Sequence, residues 1–224
     1  MNTAILIALS LIYVIASFTY LVWKELNGDT PVKKLKNAVS RNKKILIYSI
    51  IVFAVLVGMS VFLSIVYTES TLIHNMKMIT LLAILATVTV TDIKEQKIPN
   101  KVVVAGLLLR VAFAVAEFAT MGAEAFLAIA KDALYSLILV AVLFVLGVLL
   151  LKGGIGMGDI KLMAVMGLFQ GITGVISSLF LSLLVIFVLA IIMLITKKKQ
   201  KKDSIEFAPS VMVGTLASII LTGI

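Results

Sequence analysis

Residues 152–161 read Lys-Gly-Gly-Ile-Gly-Met-Gly-Asp-Ile-Lys, a glycine-rich break between two long apolar runs that ends on one carboxylate, Asp159. Four of the six residues from Gly153 to Gly158 are glycine. The backbone there is free to bend, or to approach another group with no Cβ in the way. The flanking runs read as membrane spans, so the break is a lip between two of them. An aspartate at such a lip is costly, and a functional role is its default reading. A second acid, Asp92, ends an earlier apolar run. Whether the two can meet depends on the spans between them.

The 224 residues are 62% hydrophobic and 14% charged, with mean hydropathy +1.19. A soluble domain of this size is about 45–50% apolar and about 25% charged. Apolar runs recur along the whole chain and none alternates like a barrel strand. The expected class is all-α, a polytopic transmembrane helical bundle. There is no cysteine and one histidine, His74, so neither disulfides nor a thiolate or histidine-rich metal site is expected. No other cofactor is expected. The net charge of +9 would suggest nucleic acid in a soluble protein. Here the basic clusters fit membrane orientation and anionic lipid instead, so lipid is an expected partner and nucleic acid is not.

About eight spans are expected, over 3–23, 45–67, 78–91, 102–118, 133–151, 160–169, 175–196 and 207–221. The first carries no side-chain charge ahead of it and is too long for a cleaved signal peptide. The third is thin, diluted by Thr80, Thr87, Thr89 and Thr91. The fourth holds Arg110, which must pair inside the protein. Residues 68–77 and 119–132 read as polar or surface connections. Pro99 disfavours helix at Ile98 and suits the start of the next helix. With eight spans, the connections at 24–44, 94–101, 152–161 and 197–202 fall on one side. They hold 17 of the 20 lysines and arginines. Positive residues mark the cytoplasmic side, which orients the chain in the plasma or inner membrane with both termini outside. Residues 1–77 then form two N-terminal spans with a basic cytoplasmic loop, and residues 78–224 a six-span core.

Two spans separate Asp92 from Asp159. An even number returns the chain to the same face, so both acids lie at the cytoplasmic boundary at similar depth. Two carboxylates brought close cannot both ionise easily, and the pair holds one proton. One member then takes a proton from water while the other gives one to a carbonyl oxygen. The plainer alternative is two unrelated interfacial acids, with Asp159 capping its own helix and Asp92 facing headgroups.

The residues that carry this reading also resemble a known family. Val-Thr-Asp-Ile-Lys-Glu-Gln-Lys-Ile-Pro-Asn (90–100) is similar to the first aspartate motif of the type IV prepilin peptidases. Gly-Met-Gly-Asp-Ile-Lys-Leu-Met-Ala-Val-Met-Gly-Leu-Phe-Gln-Gly (156–171) resembles their G-x-G-D motif. Ile-Glu-Phe-Ala-Pro-Ser-Val-Met-Val-Gly (205–214) is similar to their closing segment. The resemblance covers 78–224 well and 1–77 weakly. It implies an integral-membrane aspartic endopeptidase that removes the short basic leader of a prepilin, pseudopilin or archaellin. It makes Asp92 and Asp159 the catalytic pair. Gly156, Gly158 and Lys161 would shape the site, with Pro99 and Asn100 forming the turn after Asp92. The chain departs from bacterial members in lacking a cysteine-bearing metal domain after the first span. No feature assures a cofactor site, so N-methylation of the product is not carried over. Two other classes compete. A presenilin- or signal-peptide-peptidase-like protease shares the G-x-G-D motif but cuts inside a helix. A membrane transporter or scaffold would show internal repeats, and none is evident. The oligomeric state is open.

Overall fold

The structure, a computed structural model, describes residues 2–27, 34–150, 156–196 and 206–224. The run 197–202 and the first half of the glycine break therefore lie outside the described residues. Every described element is an α-helix. They are α1 (Asn2–Asn27), α2 (Lys34–Val66), α3 (Leu72–Glu95), α4 (Asn100–Leu150), α5 (Met157–Thr196) and α6 (Phe207–Thr222). Five of these are long and apolar enough to cross a membrane, and α6 is a shorter apolar helix. The chain is thus an all-helical integral membrane protein.

The two longest helices are each broken once, by a glycine. Gly122 (φ 80°, ψ 171°) divides α4, and Gly171 (φ 71°, ψ −172°) divides α5. That backbone region is open essentially only to glycine. The breaks divide the described helices into eight stretches, roughly consistent with the expected number of spans. Three expected connections need correction. Residues 119–132 are helical on both sides of Gly122 rather than a loop, because alanine, methionine, leucine and glutamate favour helix and only the glycine interrupts it. The 68–77 connection is shorter than expected, since α3 starts at Leu72. The Thr71 hydroxyl accepts the His74 N–H at 3.2 Å there and ends the turn. The 24–44 loop is also shorter, because α2 begins at Lys34.

Contacts divide the chain into two units, Met1–Ala83 and Ile84–Ile224. In the first, α1 and α2 pack together around buried Leu6, Leu56 and Leu63. The Ser10 and Ser60 hydroxyls meet there at 3.3 Å. Helix α3 is buried along most of its length. Its threonines, which made it look weak as a span, are buried with it. Thr80 and Thr91 satisfy their hydroxyls on the helix's own carbonyls. A helix apolar all round belongs inside a protein.

In the second unit α5 packs on both α4 and α6. Small residues allow this close approach. A Cβ on Gly106 would press on Ile84 and Val165, and one on Gly214 would run into the Ser182 backbone. Phe113 and Phe169 meet edge to face at 6.2 Å.

Arg110 finds its partners in this unit. Its Nη1 donates to Glu117 Oε2 at 2.9 Å, and its Nε donates to the Leu168 carbonyl at 2.6 Å. In an unbroken helix that carbonyl would accept the Ile172 N–H. At the Gly171 break the two separate. Ile172 N–H donates instead to Asp132 Oδ1 at 3.2 Å, and Arg110 takes the freed carbonyl. Two side chains of α4 therefore satisfy what the break in α5 leaves open.

Candidate active site

The site lies where α3 ends, α4 and α5 begin, and α6 begins. Helix α3 runs past Asp92 to Glu95, then stops on Gln96, whose φ of 51° is left-handed. Gln96 N–H closes that turn on the Asp92 carbonyl at 2.8 Å. The chain restarts at Asn100, and the Pro99 carbonyl accepts the N–H groups of Val102 and Val103 at 3.0 and 3.3 Å. Proline at this point donates nothing to a helix that needs nothing there.

Helix α5 begins at Met157, so Asp159 sits in its first turn rather than before it. The two glycines of the Gly-Met-Gly-Asp stretch have separate reasons. A Cβ on Gly156 would lie 2.8 Å from Asp159 Oδ2, so Gly156 leaves room for the carboxylate. A Cβ on Gly158 would lie 3.0 Å from the Ile98 Cβ, so Gly158 lets the helix rest on the Ile-Pro-Asn turn. Lys161 Nζ reaches across to Asn100 Oδ1 at 3.0 Å and fastens the same two segments. This gives Lys161 a partner that spacing could not name.

A cavity of about 550 Å³ opens among these segments. Its lining includes Asp92, Asp159, Gly156, Gly158, Lys161 and Asn100. Six of the seven residues singled out from the sequence thus share one space, and Pro99 shapes the turn behind it. The volume suits a short extended peptide or a ligand of comparable size. The two acids are not alike in their surroundings. Asp92 is buried, and its Oδ2 accepts the Ala208 N–H at 2.9 Å. Asp159 is half-buried. Like charge acts between the two. Among the described residues no cluster of three or more metal-ligating side chains is present.

Reading by sequence missed the contribution of α6. Glu206 and Phe207 also line the cavity, and Ala208 touches Asp92. The sequence marks 207–221 as a span and 205–214 as similar to a family's closing segment, but neither places a group of α6 on Asp92. Pro209, which marks a helix start, was the available signal that backbone N–H groups would point back toward the core.

A model of the type IV leader peptidase family matches residues 79–194. The chain belongs to this family. No curated protein and no solved structure shows a significant match. The leader peptidase match begins within α3 and ends within α5, so it contains both aspartates and stops short of α6. Membership makes the chain a membrane protease of the aspartic, leader-processing kind.

Proposed function

We propose that this leader peptidase removes the short basic leader from type IV prepilin-like precursors at the cytoplasmic face of the membrane, with Asp92 and Asp159 activating water between them. The observation that carries the reading is that these two acids, on α3 and α5, line one cavity. The distribution of positive charge supports the cytoplasmic side, since the topology expected from the sequence puts 17 of the 20 lysines and arginines on the side of the acids. Both acids stand near helix ends, Asp92 three residues before the end of α3 and Asp159 third in α5. That position favours cutting at the boundary, just ahead of a substrate's apolar helix. A protease that cuts within the membrane would place its acids mid-helix.

Co-expression of a type IV prepilin with the wild type, Asp92→Asn or Asp159→Asn tests the proposal on a gel. Wild type shortens the precursor, and each variant leaves it intact at unchanged enzyme level. Processing that survives either substitution rejects the dyad. The N-terminal sequence of the product places the cut, and a cut inside the apolar helix rejects leader removal.

A further inference from the structure

We propose that the N-terminus of α6 divides the labour between the two acids, holding Asp92 as the ionised, water-activating member and leaving Asp159 to carry the proton. The inference rests on the dyad reading above and adds the assignment within it, together with a positioning role for the Ala208 backbone.

The first N–H groups of any helix have no partner within it. A side chain at the N-cap usually supplies one. In α6 the N-cap is Glu206, extended at φ −64° and ψ 128°, and its side chain makes no capping bond. Asp92 supplies the acceptor from 116 residues away. The bond is buried and 2.9 Å long, in the range of charge-assisted pairs. The positive end of the α6 dipole points at the same oxygen. Asp159 has no counterpart to this bond, since no hydrogen bond reaches its carboxylate among the described residues. It lies in the first turn of its own helix, which also favours negative charge, but only Asp92 has a donor in direct contact. The other charged groups on the cavity are Lys97, Lys161 and Glu206. Lys161 is engaged with Asn100.

The reaction closes on this assignment. The Asp92 carboxylate takes a proton from water as the water oxygen bonds to the scissile carbonyl carbon. Asp159 gives its proton to the carbonyl oxygen, which yields a gem-diol. A gem-diol hydroxyl then returns a proton to Asp159 as the carbonyl re-forms and the C–N bond breaks. Asp92 gives the water's proton to the departing nitrogen. The enzyme returns to its starting form, and no metal or covalent intermediate is needed for the balance. Because the family match ends at residue 194, the positioning group sits on a segment outside the matched stretch.

The direct test replaces the Ala208 amide by an ester, through incorporation of lactic acid at 208 in the full-length enzyme. The ester deletes one N–H that the helix itself does not use and keeps the side chain. Enzyme rebuilt by the same route with alanine at 208 keeps the N–H and serves as the control. With purified enzyme and a recombinant prepilin, the ester lowers kcat on the order of tenfold or more with KM within about twofold, as expected for one lost charge-assisted bond. The enzyme rebuilt with alanine matches wild type. An ester variant with unchanged kcat overturns the inference and leaves the dyad standing, because Asp92→Asn and Asp159→Asn are then still inactive. Cleavage by those two variants would instead overturn the dyad. A second reading needs no turnover. In enzyme labelled with ¹⁵N-alanine, the Ala208 amide proton lies downfield, and Asp92→Ala moves it upfield. An amide resonance indifferent to Asp92→Ala contradicts the bond.

Discussion

At Gly156 a single missing carbon matters. A Cβ there would come within 2.8 Å of Asp159 Oδ2, and the cheapest relief is rotation of that carboxylate. Gly156→Ala is therefore expected to leave stability within about 0.5 kcal/mol of wild type, as for a surface change. Prepilin cleavage falls on the order of tenfold or more, since small misplacements of a reacting group are expensive. Initial rates and thermal unfolding in detergent, measured on one preparation, check both halves. Unchanged rates would show that the glycine does not protect the position of Asp159. Gln96 offers the opposite case. It adopts φ 51° with a full side chain, at a conformational cost of about 1–2 kcal/mol. Glycine relieves this but gives back about 0.5–1 kcal/mol in the unfolded chain. Gln96→Gly is thus expected to stabilise by about 0.5–1 kcal/mol, measured as a raised Tm.

The helices show what sequence can and cannot disclose. Apolar runs gave away the spans because a membrane segment must be long and nearly free of charge. The division of α4 and of α5 was legible, since the apolar runs part between 118 and 133 and between 169 and 175, but that each division is a single glycine, Gly122 or Gly171, was not, since a glycine inside a helix bends the chain at some sites and not at others. The partner of Arg110 was within reach of the sequence. Glu117 lies seven residues on, two turns along the same helix face, and its spacing was the signal. The second partner, the Leu168 carbonyl, has no side-chain signature at all. The same holds for the Ala208 N–H on Asp92, so pattern could find the two acids but not what distinguishes them.

That polar knot makes its own prediction. Arg110→Met removes the guanidinium from the Glu117 carboxylate, which is 1% exposed. Breaking one side of such a buried pair costs about 3–5 kcal/mol. Replacing both, Arg110→Met with Glu117→Leu, costs less, because the remaining penalty is the orphaned Leu168 carbonyl at about 1–3 kcal/mol. Thermal unfolding of the three proteins in one detergent decides it. A double variant less stable than Arg110→Met alone would mean that the pair does not act as a unit.

For the whole molecule, the charge pattern and the cleft must agree on one side of the membrane. The chain has no cysteine, so single cysteines report sidedness without background. Lys131→Cys is expected to react with an impermeant maleimide in intact cells, and Lys97→Cys only after permeabilisation. The reverse pattern would turn the cavity away from the cytoplasm and refute the proposed site of cleavage. Across the whole chain, the class, the approximate spans and the shared face of the two acids followed from periodicity, charge and spacing, while the roles of Gly156, Gly158, Lys161 and Asn100 came from the family resemblance. The role of α6 did not, because it enters through backbone groups.

The central claim is that Asp92 and Asp159 act as one catalytic unit, and double-substitution kinetics test it most directly. Residual prepilin cleavage is measured for purified Asp92→Asn, Asp159→Asn and the double variant, each confirmed as folded. A joint proton-sharing pair predicts that either single substitution falls to the same background as the double, on the order of a thousandfold or more below wild type. Independent losses that multiply in the double variant, or a single variant that retains cleavage, would contradict the account.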